Sequence, residues 1–410
     1  MQPYRLILMV LILCLSQTVW AGGERPVLTL DQAVETALAN HPALQMAGPA
    51  ADVMQAQIED EQSVLYPQLT GQFVYPFVGT ESGVSLRQYI WDFRRTQHRI
   101  QASRAQAQAS GFEQAGHRKD IILNVKVAYY TVLIRQLTGT EAEHRVRTLA
   151  QRLEQIERLF SLGRRSQSEL TQARMDLDQA KLSLSTAHYD VEGARIQLAG
   201  AMGLNTELPY ELAPKVDRDQ PGVDLNDHLR LALANRSELR QLDAHINALK
   251  ALAAAAKQSV YPTIFGRMDY RIRGEGAQEA GFIVGIGVQG TIFNGFATAA
   301  KVKEAHAQVR QVEAELAVKQ QQVAMEVRQA VLRLQLSAKH IQLTEHSQRE
   351  AEAHLRAMDE QFKLGRISAI ELAEARLLVL SASTKHLQAI YNAKIAMAQL
   401  ERATGRDMEP

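Results

Sequence analysis

Two short runs hold most of the side chains that could do chemistry. Arg164-Arg165-Ser166-Gln167-Ser168-Glu169 follows Leu162-Gly163, and Arg366-Ile367-Ser368-Ala369-Ile370-Glu371 follows Leu364-Gly365. A serine three residues before a glutamate has the spacing of a capping box, which ties off the free N–H groups at a helix start. Glu169 and Glu371 therefore have a structural duty available. Glu374 has none, and its counterpart in the first run is the neutral Gln172. Beyond these, no nucleophile triad, phosphate loop or carboxylate pair for hydrolysis is present. The twelve histidines are scattered, without the close pairs and acidic support that a metal site needs. The residues point to a protein that is not an enzyme and holds no cofactor.

The bulk numbers narrow the class. Lys and Arg total 46 and Asp and Glu total 45, a balance that argues against nucleic acid as a partner. The single cysteine, Cys14, excludes an intramolecular disulfide. It lies in an apolar run, Leu6 to Leu15, that follows Arg5 and precedes Val19-Trp20-Ala21. This reads as a secretory signal over 1–21.

The elements that must position the two runs come from a repeat. Phe-x-Leu-Gly-Arg-x-Ser-x-x-Glu-Leu-x-x-Ala-Arg begins at Phe160 and again at Phe362, an offset of 202. Ala-Leu-Ala-Asn at 37–40 returns at 232–235, and Tyr66-Pro67 returns as Tyr261-Pro262, both offset by 195. The chain is two halves, 22–204 and 225–405, joined by a Pro- and Asp-rich connector at 205–224 and followed by a tail at 406–410. No proline interrupts 77–208 or 263–409. Residues 296–364 lack glycine as well, which permits a helix roughly 100 Å long at about 1.5 Å per residue. Val323, Val327, Ala330, Leu334 and Ile341 form a heptad seam along it, matched by Ile121, Val125 and Ala128.

Alternating segments precede each long helix. Ile264, Gly266, Met268, Tyr270 and Ile272 take one side; Thr263, Phe265, Arg267, Asp269 and Arg271 take the other. The spacing predicts strands near 67–76, 83–92, 263–272 and 282–293, each long enough to cross a membrane when tilted. Four strands cannot close a transmembrane barrel, and open edges in lipid are costly. Strands in a membrane would have to be pooled between copies. Each half then reads as short helix, strand pair, long helix (near 94–161 and 296–363), turn (162–166 and 364–368) and medium helix (near 167–203 and 369–404).

The order and duplication of these motifs resemble the TolC family of outer-membrane efflux proteins. Leu-x-Leu-Asp-x-Ala at 28–33, Ala-x-x-Asn-His-Pro at 37–42, the Tyr-Pro strand entries and the Leu-Gly-x-x-Ser turns carry the resemblance. It implies a mostly α fold with a small β part. Tandem long helical hairpins would form an α-barrel, and four strands per subunit would enter a twelve-stranded transmembrane β-barrel shared by a homotrimer. It implies outer-membrane lipid around the barrel, and a periplasmic adaptor (membrane fusion protein) and inner-membrane pump at the other end. The connector would lie in an equatorial belt. Glu371 and Glu374 match the narrowest acidic ring of the pore, where three copies of a carboxylate would favour cations. Leu162, Gly163, Arg164 and Ser166, with Leu364, Gly365, Arg366 and Ser368, would be the adaptor-docking tips. An arginine that closes the mouth in some members is replaced here by Ile367. Tyr89, Trp91, Phe93 and Phe293 suit an interfacial aromatic belt. The implied function is passive export of small toxic compounds or metal ions, with type I protein secretion as the alternative. A periplasmic adaptor would carry one hairpin rather than two equal halves, and a structural coiled coil would lack the alternating strands.

Overall fold

A computed structural model describes residues 27–73, 82–205, 210–213, 224–272 and 281–406. The signal segment, the tail beyond 406 and most of the connector lie outside these residues. In chain order the elements are β1 (Val27–Leu28), α1 (Leu30–Asn40), α2 (Pro42–Gln45), α3 (Ala47–Ser63), β2 (Gln68–Gln72) and β3 (Ser82–Trp91). Then follow α4 (Arg95–Ser161), α5 (Gln167–Ala201), β4 (Glu211–Leu212), α6 (Leu225–Asn235) and α7 (Ser237–Gln258). The second strand pair and hairpin are β5 (Thr263–Ile272), β6 (Gly281–Gln289), α8 (Ala297–Lys363) and α9 (Ala369–Thr404). The two 67-residue helices α4 and α8 span the places where proline is absent.

Helices lie side by side in one layer. Toward the tips the order is α5–α4–α9–α8; toward the strands α3 and α7 replace α5 and α9. The predicted seam is the packing seam: Val323 and Val327 are fully buried, with Ala330 and Leu334 beside them. The single short helix expected before each strand pair is instead broken, at His41-Pro42 and at Arg236-Ser237. Proline supplies the first break, because it removes an N–H and fixes φ at a helix start.

The four strands form one antiparallel sheet in the order β2-β3-β5-β6, with β2 and β6 at its edges. β6 stops at Gln289, four residues short of the position the alternation predicts. The next partner on β5's side is Pro262, which has no N–H to give the ladder, and a Cβ on Gly290 would lie 2.9 Å from it. A bulge between Tyr89 and Trp91 pairs Trp91 with Ile264, so Trp91 shares the apolar face. Each strand pair feeds its long helix through two left-handed residues, Phe93-Arg94 and Gly295-Phe296. Asp92 caps the first of these helices by accepting from Thr96 N at 2.7 Å.

Two features hold the middle of the rod. The connector strand β4 pairs in parallel with β1, and the Tyr129 hydroxyl lies 3.0 Å from Leu28 O and 2.8 Å from Ala213 O. Burial pushes that hydroxyl's pKa up to about 12. On the other side Arg402 of α9 reaches Asp120 of α4 at 2.5 Å and Glu238 of α7 at 2.7 Å. Arg236 contacts Glu238 and Glu326 and donates to Arg402 O at 3.0 Å. One charge network thus clamps four helices. The first repeat has Gly200 where the second has Arg402, and His41 where it has Arg236.

Candidate functional site

The two tips are built alike. At the first, Gly163 takes φ +68° and Arg164 N donates to Leu159 O, while Gly163 N donates to Phe160 O, both at 2.8 Å. Gly365 and Arg366 repeat this with Phe362 O and Gln361 O, at 2.9 Å each. This crossed pair of bonds ends a helix on a left-handed residue, which glycine adopts without Cβ strain. Both capping boxes then open the next helix. Ser166 N donates to Glu169 at 2.8 Å and Ser368 N to Glu371 at 2.7 Å, with each serine hydroxyl receiving the glutamate's own N–H. Those backbone bonds hold both carboxyl groups below their usual range. The caps therefore contribute stability above the unfolded carboxylate pKa, about 4.3. That contribution is lost as pH falls through the lower folded value.

The surface of each tip is bare. Leu162 is 69 % exposed and Leu364 66 %, and a Cβ on Gly163 or Gly365 would meet nothing within 4 Å. Neighbouring cations are mostly tied down in their own hairpin: Arg158 to Glu154, Arg165 to Glu169, Arg174 to Glu157, and Lys363 to Asp359. Arg164 and Arg366 are exposed and carry no ion pair among the described residues.

The residues that differ between the tips have different partners. Arg165 reinforces Glu169 at 2.6 Å, whereas Ile367 can give Glu371 nothing of the kind. Gln172 turns along its own helix to Asp176 at 2.7 Å. Glu374 crosses to the other hairpin, where Arg152 Nη1 lies 3.1 Å from its Oε1. Glu374 thus joins α9 to α4 in one subunit, and Gln388 to Thr138 at 3.0 Å joins the same helices higher up. Sequence reasoning singled out Glu374 but missed Arg152. Its repeat counterpart is His354, so the repeat gave no signal for the partner.

At the opposite end the sheet is inverted relative to a water-soluble one. Phe282, Val284, Ile286 and Val288 stand exposed on one face. On the other, Thr263, Phe265 and Asp269 are buried, and Arg87 stacks over Phe265 at 4.0 Å while donating to Gln289 at 2.8 Å. Phe265, which breaks the polar alternation, lies flat over its register partner Gly287, where a Cβ would be 2.5 Å from the ring. At the strand–helix junctions Phe93 stacks on Tyr261 at 4.8 Å, and exposed Phe293 meets Phe296 at 5.6 Å. An apolar band bounded by aromatics is what a lipid-facing strand surface requires. Among the described residues no helix is long and apolar enough to cross a membrane, and no three His, Cys, Asp or Glu side chains gather to hold a metal ion.

Comparison with known proteins places this geometry. The family model described as outer membrane efflux protein matches residues 33–204 and again 228–406. Among solved structures, CusC is similar at TM-score 0.75 and 18 % identity, covering 95 % of each chain. The CmeC outer membrane channel of Campylobacter jejuni gives 0.76 at 16 % identity, covering 92 % of this chain and 85 % of that one. The MtrE outer membrane channel of Neisseria gonorrhoeae, in its open state, gives 0.73 at 18 % identity, covering 92 % and 88 %. No curated protein sequence matches the chain.

Proposed function

The chain belongs to the outer membrane efflux protein family, and from that premise we propose that it is the exit duct of a tripartite export system. It is a channel subunit of the outer membrane with a periplasmic helical extension, not an enzyme. Three copies pool their four strands into one barrel, and their helices continue as a tunnel. The tips dock onto a periplasmic adaptor coupled to an inner-membrane pump, which drives small toxic compounds or metal ions through the duct. The observation that carries this is the inverted sheet, whose edge strands β2 and β6 pair with no further strand among the described residues, on top of a rod of 67-residue helices. Such edges are tolerable in lipid only if other strands cover them. Outer-membrane fractionation with heat-sensitive trimer bands tests it; a monomer in the soluble periplasm would refute it.

Within this reading Glu374 lines the periplasmic constriction and Arg152 is its latch, while Glu371 serves first as a cap. An exposed ion pair is worth about 0.2–1 kcal/mol. Three in one gate give about 0.6–3 kcal/mol, or roughly 3- to 150-fold in the ratio of open to closed channels. Arg152→Ala and Glu374→Ala should both raise open probability in planar-bilayer recordings. Only Glu374→Ala should lower cation selectivity, since Arg152→Ala leaves the carboxylate in place. Unchanged selectivity in Glu374→Ala would remove Glu374 from the pore.

A further inference from the structure

The four strands carry a surplus of positive charge. Arg87, Arg267 and Arg271 stand against one acid, Asp269, and all four fall in the polar half of the strand alternation. Arg87 on β3 and Arg267 on β5 are register partners, directly opposite, where like charges repel. The two side chains part. Arg267 turns to Asp269, two residues along its own strand, whose side chain is only 10 % exposed. Arg87 crosses β5 toward β6 instead. Its guanidinium lies 4.0 Å over the Phe265 ring, with the Tyr89 ring at 5.6 Å, and Nη2 donates to the neutral Gln289 amide at 2.8 Å. Gly287 fixes this platform, because the Phe265 ring fills the space a Cβ would need. Arg87 has no ion pair among the described residues, and its Nε is buried without a hydrogen-bond partner.

We infer that Arg87, with Phe265 and Tyr89, is a binding site for organic anions in the lumen of the barrel, and that the cargo it selects is an aromatic carboxylate or sulfonate rather than a metal cation. The apolar face of the sheet meets lipid, so the face that carries Arg87 lines the pore. A guanidinium lying flat on a ring presents its N–H donors at its rim, in the fork that fits an oxyanion. The unpartnered Nε is one of those donors, and leaving it unmade is costly. An oxyanion satisfies both that donor and the uncompensated charge, which the neutral Gln289 amide leaves in place. The Tyr89 and Phe265 rings beside the guanidinium suit a ligand with a flat apolar body. Copies of the chain in one barrel repeat the site at one level, and rings of arginine favour anions in a pore. The barrel is thus opposite in sign to the acidic mouth that Glu374 would form at the tips.

This rests on the channel reading, and the test separates the two. Naphthalenesulfonate added on the barrel side of the full-length protein in a planar bilayer should reduce its conductance. Arg87→Gln should raise the concentration for half block at least about tenfold, the fold-change for losing one charge-assisted hydrogen bond. It should also shift the potassium-to-chloride permeability ratio toward potassium. Arg87→Lys keeps the charge but loses the fork and the flat stacking, so it should hold the permeability ratio and still weaken the block. Inorganic phosphate, which has no ring, should block less well than the sulfonate. Equal block of the unmodified protein and both variants would overturn the site and leave the channel reading standing. So would a changed permeability ratio with unchanged block, which would reduce Arg87 to a charge in the lumen. Equal block by phosphate and sulfonate would overturn the aromatic part of the site. Absence of any conductance from the unmodified protein would overturn both readings.

Discussion

Gly365→Trp is expected to abolish efflux while leaving folded trimers in the outer membrane. The physical case rests on how little the fold depends on this position beyond its backbone. Gly365 sits at φ +68°, and a Cβ there would point into open space. An L-residue in the left-handed region costs about 1–2 kcal/mol. That strain falls at the end of a 67-residue helix whose packing lies elsewhere. The indole would cover the bare Leu364 and Arg366, the surface proposed to meet the adaptor. Gly365→Asn separates strain from obstruction, since asparagine tolerates the same backbone region at little bulk; it should retain efflux. Drug or metal tolerance of a strain carrying only this duct is the readout. Full tolerance with Gly365→Trp would end the docking assignment, and lost trimers would show that the turn serves assembly instead.

Arg402→Met should cost about 3 kcal/mol, the scale for removing one partner of a buried charge network. The side chain is 10 % exposed, and it is Glu238's closest cation. Burial pushes the Glu238 carboxyl upward, but the Arg402 hydrogen bond and the Arg236 charge outweigh it, so the pKa lies below the usual range. The wild-type network thus contributes stability above the unfolded pKa and loses it as pH falls through the folded value. Without Arg402, burial holds more of Glu238 protonated, and the deficit should be largest near pH 7 and shrink toward pH 4. Adding Glu238→Gln and Asp120→Asn should recover part of the loss at pH 7. The heat-induced loss of trimer, followed at both pH values, checks this. An equal deficit at both would mean that lost packing, not charge, is the cause.

Much of the architecture is written locally. Ser368 and Glu371 are three residues apart, and Gly365 ends one helix where they begin the next, so the turn is decided within one stretch of chain. The strands show as period two because one face meets lipid-like exposure and the other does not. Where local rules fail, a neighbour distant in sequence intervenes. Pro262 stops β6 by withholding an N–H from it, and the bulge at Tyr89/Trp91 turns a tryptophan to the apolar face. Phe265 violates the alternation because Gly287, on the paired strand, leaves room for its ring.

The candidate site divides along the same line. The sequence alone determined that there are two equivalent tips, that Glu169 and Glu371 cap their helices, and that Glu374 is the odd carboxylate without a cap to serve. Helix propensity, capping and periodicity act over a few residues, so they leave their marks in contiguous text. Only the tertiary structure decided that Glu374 pairs with Arg152, 222 residues away, and that Arg402 gathers Asp120 and Glu238. Those contacts depend on how α4 and α9 are rotated and staggered against each other. That rotation is set by the summed packing of two long seams and is recorded at no single position in the sequence.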